Sequence, residues 1–434
     1  MSNDPLDTLI SRRRFLHVLG VAGMGAAISA CGAGPGSSGG SSKAALQTGG
    51  PIKGGLSFAH WRAEDKKVFD QIIASFVKQY PHVSVRQDIS PSNDYQSTAL
   101  QKIRGGAVGD VFTAFRGAQF VDMNKAGLFA DLSGQSFVSN YDGKLITPGA
   151  QGNKQMGLPY QLVYNMPIYN VRLFERLGVS ERPADWDGFL ALCAKLKRAG
   201  VVPIMFPGGD PGNAGQLLNA MVMNNAPSDD MFVKIEAGDY KVTDDWFIKT
   251  LEQYAQLRPY VQRNATGTAV EPALQVFAQQ KAAMLATGDF HIGAVRALGA
   301  TFPIDLIAPI TVAAGQAKYE GIHNVTFILG VSTRSEKQPA AVKFVEYLSK
   351  PEVAGVYANG TIQHVTVSGV RYTNRDLKAT AHWLTRKTLL APRFQFNDLD
   401  IRAAVENAAT QVIGGASPKK AASDAQRIID QKRS

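Results

Sequence analysis

Cysteine is nearly absent: the 434 residues hold two, Cys31 and Cys193. No disulfide framework, iron–sulfur cluster or cysteine-based zinc site can be assembled from that pair. The seven histidines are scattered, and no two have the spacing of a zinc-binding helix. The body lacks the Gly-Lys-Ser/Thr loop that cradles phosphate and the Gly-x-Ser-x-Gly elbow of a serine hydrolase. Carboxylates do occur in pairs, as at Asp244-Asp245 or Asp398 and Asp400, yet adjacency in sequence does not place two groups across a glycosidic bond. Catalysis therefore has little to work with, and no cofactor or metal is expected. Blocks of like charge are missing as well. The net charge of +10 is spread among acidic residues, as in Glu64-Asp65-Lys66-Lys67. No basic stripe interleaves with aromatics, so nucleic acid is not expected as a partner. An acidic envelope or anionic lipid is the simpler destination for such a charge.

Long apolar runs are also absent, and the one near the N-terminus is informative because it is short. Ser11-Arg12-Arg13-Arg14-Phe15-Leu16 leads into a small apolar stretch from Val18 and then Ile28-Ser29-Ala30-Cys31. A basic start, an apolar stretch too short to span a bilayer and a small-residue exit read as an export signal over 1–30. The Arg12-Arg13 pair followed by Phe15-Leu16 resembles a twin-arginine signal, and the exit resembles a bacterial lipoprotein box. That resemblance implies lipidation, palmitate included, at Cys31, which becomes the first mature residue. Several acyl chains hold a protein firmly where one does not, at about 0.8 kcal/mol per buried methylene. Residues 32–50 are mostly Gly, Ser and Ala and bury nothing. The 31–50 segment is thus expected as a tether, spanning about 25 Å as a flexible chain. The protein is expected outside the cytoplasm, anchored to the cell membrane through Cys31.

The rest of the chain is too long for one core and suits two domains. Cys193 sits in Phe189-Leu190-Ala191-Leu192-Cys193, a helical pattern, as a small buried apolar residue. Gly55 to Trp61 reads as a strand. Val68, Ile72, Ile73, Phe76 and Val77 then recur at helical spacing until Pro81. Val83-Ser84-Val85-Arg86 alternates as a strand, Tyr95 to Arg104 as a helix, and Val111 to Phe115 as a third strand. This order predicts an α/β fold.

Phe76, Tyr80-Pro81, Val83, Val85, Gly109-Asp110-Val111-Phe112 and Gly127-Leu128-Phe129-Ala130-Asp131-Leu132 follow one another in a recognisable order. Gly157-Leu158-Pro159-Tyr160 with Tyr169-Asn170 comes next, then Pro183-Ala184-Asp185-Trp186-Asp187, in which Asp185 can cap a helix. Phe277 to Met284 with Gly288-Asp289-Phe290, and Ala341 to Leu348 with Pro351-Glu352-Val353, complete the series, and the tail Pro418-Lys419-Lys420-Ala421-Ala422 closes it. In this order, over most of the chain, these segments resemble the extracellular solute-binding proteins of ABC importers, in the carbohydrate group that includes maltose-binding protein. Gln280 and Phe290 depart from the commoner Gly and Trp. The resemblance implies an α/β, two-lobed periplasmic-binding-protein fold with discontinuous lobes, a hinge, and ligand in the interlobe cleft. The expected lobes are 51–160 plus 303–350 and 161–302 plus 351–434. It also implies a monomer that captures a carbohydrate, a mono- or short oligosaccharide, and passes it to the membrane subunits of a permease.

A sugar site needs aromatic faces beside amide, carboxylate or guanidinium partners. By position in the resemblance, His60 and Trp61 end the first strand. Phe115 and Arg116 follow the third, with Gln119 one helical turn on. Tyr160, Gln161, Tyr164 and Asn165 lie at the first hinge crossing, where about half should touch ligand. Asp210 and Asn213 come from a Pro/Gly loop; Asp289 and Phe290 stand where relatives place a stacking tryptophan, with His291 alongside. His323 and Asn324 occupy a loop expected to face the cleft. Trp186, Trp246 and Trp383 lie in amphipathic segments and are expected to pack. A binding protein for glycerophosphodiester or another anionic solute is the alternative ligand class. Its mark would be clustered cleft arginines, of which Arg116 is the one the sequence places. An exported enzyme, or a lipoprotein sensor without a permease, are the readings of other classes.

Overall fold

The computed structural model describes residues 46–433. The export and lipidation expectations at Arg12, Arg13 and Cys31, and most of the tether, lie outside the described residues. Among those described, no helix is long and apolar enough to cross a membrane. The folded body begins before residue 51: Leu46 packs on the first core, and the Gln47 backbone N–H donates to Gln338 Oε1 at 2.8 Å.

The expected strand and helix order holds. Gly54–His60 lies between parallel partners Val83–Ile89 and Val111–Ala114. The helix Lys66–Gln79 buries Phe69, Ile72, Ile73 and Phe76, the 3- and 4-residue apolar spacing that gives a helix one dry face. The helix Trp186–Arg198 is capped as expected, Asp185 Oδ1 accepting from the Gly188 N–H at 2.7 Å, and it buries Cys193 completely. Burial pushes that thiol up to about 12.

Two sheets organise two cores. The larger runs His364–Val365, Leu158–Val163, Gly321–Val331, Val111–Ala114, Gly54–His60, Val83–Ile89, with Thr388–Leu390 paired to the start of Gly321–Val331. The smaller runs Ile304–Leu306, Ile168–Asn170, Ala282–Leu285, Val202–Met205. Each sheet carries helices and a separate hydrophobic core, which makes the molecule two-lobed.

Core membership differs from the expected lobe limits in two stretches. Ile304, Leu306, Ile307 and Ile310 belong to the second core, because Ile304–Leu306 pairs antiparallel with Ile168–Asn170. Val353, Ala354, Tyr357 and Val365 belong to the first, because the helix Pro351–Thr361 packs on Lys66–Gln79 and His364–Val365 pairs with Leu158–Val163. The chain therefore passes between cores near residues 161–165, 322–327 and 378–383. Gly321–Val331 serves both: Ile322 lies in the second core and Phe327 to Val331 in the first. Phe327 has φ +53°, a left-handed conformation that costs a non-glycine residue about 1 kcal/mol or more.

Candidate functional site

Between the lobes lies a cleft of about 730 Å³. Its floor is the pair of strands that pass from one lobe to the other. Side chains on a strand alternate faces, so Gln161, Val163 and Asn165 point into the cleft beside Asn324 and Thr326. The opposite parity, Leu162, Tyr164 and His323, lines a smaller groove of about 310 Å³ on the far side of these strands, with Val365, Val367 and Trp383.

The first lobe supplies an aromatic wall. Trp61, just past the strand Gly54–His60, stacks on Phe115, ring centroids 3.7 Å apart and planes 20° from parallel. Phe327 supports Trp61 edge-on from beneath at 5.1 Å. The second lobe presents Phe290 and Phe394.

Charge in the wall is mostly paired. Arg62 grips Asp65 with Nε and Nη2 at 2.8 and 3.0 Å and reaches Glu64 at 2.9 Å. Arg393 grips Glu406 at 2.7 and 3.0 Å. Arg402 forms no ion pair among the described residues; its Nη2 lies 3.4 Å from Gln96 Oε1 on the other lobe, and burial pushes its guanidinium down to about 10. Acidic cleft residues, Glu64, Asp94, Asp210, Glu271 and Glu406, outnumber the arginines Arg62, Arg393 and Arg402. Among the described residues no group of three or more His, Cys, Asp or Glu could hold a metal ion.

Several polar atoms of the wall are buried without a partner among the described residues: Asn165 Oδ1, Thr326 Oγ1 and His291 Nδ1. Burial, reinforced by the charge of Arg62, pushes His291 down to about 3, so it is neutral. Buried groups of this kind are ordinarily satisfied. All three residues line the cleft, with these atoms covered just beneath its surface.

Of the residues singled out from sequence, Trp61, Phe115, Gln161, Asp210, Asn213, Phe290 and Asn324 line the cleft. The others do not. His60 lies on the buried face of its strand among Phe58, Phe69 and Phe327, with Nε2 3.0 Å from Gln87 Oε1. Gln119 braces the loop that carries Phe115, accepting from the Phe115 N–H at 2.9 Å and donating to the Tyr95 carbonyl at 2.9 Å. Tyr160 is fully buried and donates to the Leu348 carbonyl at 3.0 Å. Tyr164 and His323 face the rear groove, where His323 Nδ1 meets Thr388 Oγ1 at 2.9 Å. Arg116 lies behind Asn324, donating to its Oδ1 at 2.7 Å and to the Ala391 carbonyl at 2.5 Å; burial pushes it down to about 9. Asp289 accepts from the Tyr164 N–H at 2.9 Å beneath the cleft wall, and burial pushes its carboxyl up to about 7.

The sequence reading missed Arg62, Gln96, Asn93, Arg393, Phe394, Arg402 and Glu406. For the first three a signal existed, since ligands of α/β sheets gather beyond the carboxyl ends of strands and these residues follow Gly54–His60 and Val83–Ile89. Of the last four, Arg393 and Phe394 sit in the turn Pro392–Gln395 and Arg402 and Glu406 on the helix Leu399–Ile413, and nothing in their sequence pattern points at the cleft.

The model of the bacterial extracellular solute-binding protein family matches residues 61–355. A multiple sugar-binding protein of Streptococcus mutans serotype c is 22% identical over 333 residues, covering 73% of this chain and 76% of the relative. The solute-binding protein RafE in complex with raffinose superposes with a TM-score of 0.75 at 20% identity, over 88% of this chain and 100% of that one. A chitin oligosaccharide binding protein does so with a TM-score of 0.75 at 18% identity, over 87% and 98%. With two lobes, an interlobe cleft and a family match over most of its length, this chain belongs to the bacterial extracellular solute-binding proteins.

Proposed function

We propose that this protein is the substrate-binding component of an ABC importer, capturing a mono- or short oligosaccharide in its cleft and delivering it to a membrane permease. The observation that carries the ligand class is the stacked Trp61–Phe115 wall in one cleft with the amide side chains of Gln161, Asn213 and Asn324. An aromatic face with adjacent hydrogen-bonding groups matches a sugar ring with its rim of hydroxyls. The names of relatives, which bind raffinose, chitin oligosaccharides and multiple sugars, support the same class. An anionic solute such as a glycerophosphodiester is disfavoured by the acidic excess of the cleft wall and by the carboxylates that already occupy Arg62 and Arg393.

The anchor belongs to the same proposal: export through Arg12 and Arg13, lipid on Cys31 and a Gly/Ser tether keep the body near its permease. The protein acts as a monomer and turns over no substrate. A thermal-shift panel of raffinose, stachyose, galactose, chitin oligosaccharides and glycerophosphocholine tests the ligand class. A ligand at a hundred times its Kd stabilises the folded form by about 2.7 kcal/mol, so a sugar should raise the Tm. A rise with the phosphodiester alone would refute a carbohydrate, and hydrolysis of any sugar would refute a pure binding role. Cys31→Ser should release the protein from the membrane fraction.

A further inference from the structure

The floor of the cleft carries the side-chain amides of Gln161, Asn165 and Asn324, each held by a neighbour whose hydrogen-bonding sense is fixed. An amide offers a carbonyl acceptor at one end and an NH₂ donor at the other, so using one end selects the other for the ligand.

Behind Gln161 stands Tyr357, fully buried on the helix Pro351–Thr361. Its hydroxyl lies 2.5 Å from Asp65 Oδ2, and Asp65 is clamped by Arg62 from its other side. A phenol has one proton, and the carboxylate takes it. The Tyr357 oxygen can then only accept from Gln161, which must offer its Nε2 group. Gln161 is left with its carbonyl toward the cleft.

Beside Asn165, and lining the cleft with it, stands Gln216, whose Nε2 donates to the Gly212 carbonyl at 2.9 Å. The Gln216 carbonyl therefore faces Asn165 and accepts from Asn165 Nδ2 at 2.8 Å. Asn165 Oδ1 is left covered, on a cleft-lining residue, and without a partner among the described residues.

Behind Asn324 stands Arg116. A guanidinium only donates, so Asn324 must accept through Oδ1, at 2.7 Å. Its NH₂ end is the one left for the cleft.

We infer that Tyr357, Gln216 and Arg116 are positioning residues that lock the floor into an acceptor at Gln161, an acceptor at Asn165 and a donor at Asn324, so that the site selects saccharides with free hydroxyls over etherified or esterified ones. This rests on the carbohydrate reading above. A hydroxyl can donate to the Gln161 carbonyl, and to Asn165 Oδ1 once a small side-chain shift uncovers it; an ether, a fluoro substituent or a phosphodiester oxygen brings lone pairs against lone pairs and leaves a buried acceptor unsatisfied. The same coding gives Arg116, half-buried beside the cleft, a role: its guanidinium orients Asn324.

Two measurements test the inference. Neutron diffraction from crystals of the deuterated protein distinguishes ND₂ from O. The expected result is oxygen toward the cleft at Gln161 and Asn165 and ND₂ at Asn324; any of the three reversed overturns the coding. Calorimetric titration with raffinose and with raffinose derivatives carrying fluorine in place of one hydroxyl gives the second. At least two positions should weaken binding tenfold or more, and Tyr357→Phe, which frees the Gln161 amide to turn, should bring one of those ratios down toward one. Equal binding of all derivatives, or ratios untouched in Tyr357→Phe, overturns the inference while leaving raffinose binding, and so the carbohydrate reading, intact. Failure of raffinose and every sugar of the thermal-shift panel to bind defeats the carbohydrate reading instead, with the orientations decided by diffraction.

Discussion

Arg393 and Glu406 face each other in a two-point ion pair, Nε to Oε1 at 2.7 Å and Nη2 to Oε2 at 3.0 Å, with both side chains 6% exposed. Gly215 makes the room, because a Cβ there would overlap the Glu406 carboxyl group. The pair forms part of the second lobe's wall, and Arg393 Nη1 also holds the Gly212 carbonyl at 2.8 Å, at the start of the helix Pro211–Val222.

Removing one partner strands the other charge. Glu406→Ala should lower unfolding free energy by about 3–5 kcal/mol, measured by urea denaturation. Replacing both by apolar residues should cost much less, and equal losses would show that the second charge was never stranded.

Gly117 adopts φ +87°, and a Cβ there would overlap the Phe394 carbonyl oxygen. The position is closed to side chains for two reasons at once. Gly117→Ala should destabilise by about 1–3 kcal/mol and weaken ligand binding, since Phe394 belongs to the cleft wall. A neutral effect in both readouts would mean the two segments part easily.

The Trp61–Phe115 stack predicts a paired response. Either ring replaced by Ala should weaken sugar binding about tenfold or more, whereas Phe58→Ala, deep in the same core, should lower stability by about 3–5 kcal/mol with a smaller change in affinity relative to the folded fraction. Calorimetry of the three variants separates these outcomes.

Acid should unfold the protein through its histidines. Burial pushes His60, His323 and His364 down to about 4 and His291 to about 3. Each folded value is below the unfolded 6.5, so the unfolded chain binds more protons and stability falls as pH drops from about 6.5 to 4. Asp289 opposes them. Its folded value of about 7 exceeds the unfolded 3.8, so its contribution is present below pH 3.8 and lost as pH rises to 7. The Asp289→Asn variant should therefore lose stability more steeply than the parent on acidification from pH 7 to 4, as urea midpoints across that range will show.

The strand and helix order through residue 115 is legible because each element is short, punctuated by Pro or Gly, and has a clear period. The site is half legible. Trp61 and Phe115 follow strand ends, where cleft residues gather. His60, one residue earlier, points the other way, and only the register of the sheet decides which neighbour is wet. The same parity separates Gln161 and Asn165 from Tyr160 and Tyr164, and Asn324 from His323. Arg393 and Glu406 reach the cleft by long-range packing onto Gly215, a relationship with no local signature. The lobe limits fail for a related reason: Ile304–Leu306 and Pro351–Thr361 choose their core by pairing with partners far away in sequence.

Cys193 has a practical side. Fully buried, with a thiol that ionises only well above neutral pH, it is inert toward alkylating reagents, which attack thiolates. In a body cut after Cys31, a cysteine introduced at an exposed position such as Asp94 or Glu271, on opposite rims of the cleft, would be the only thiol a dye or spin label can reach. That body needs no further cysteine removal before the distance between its lobes is followed spectroscopically, with labels at both positions, during capture of a ligand.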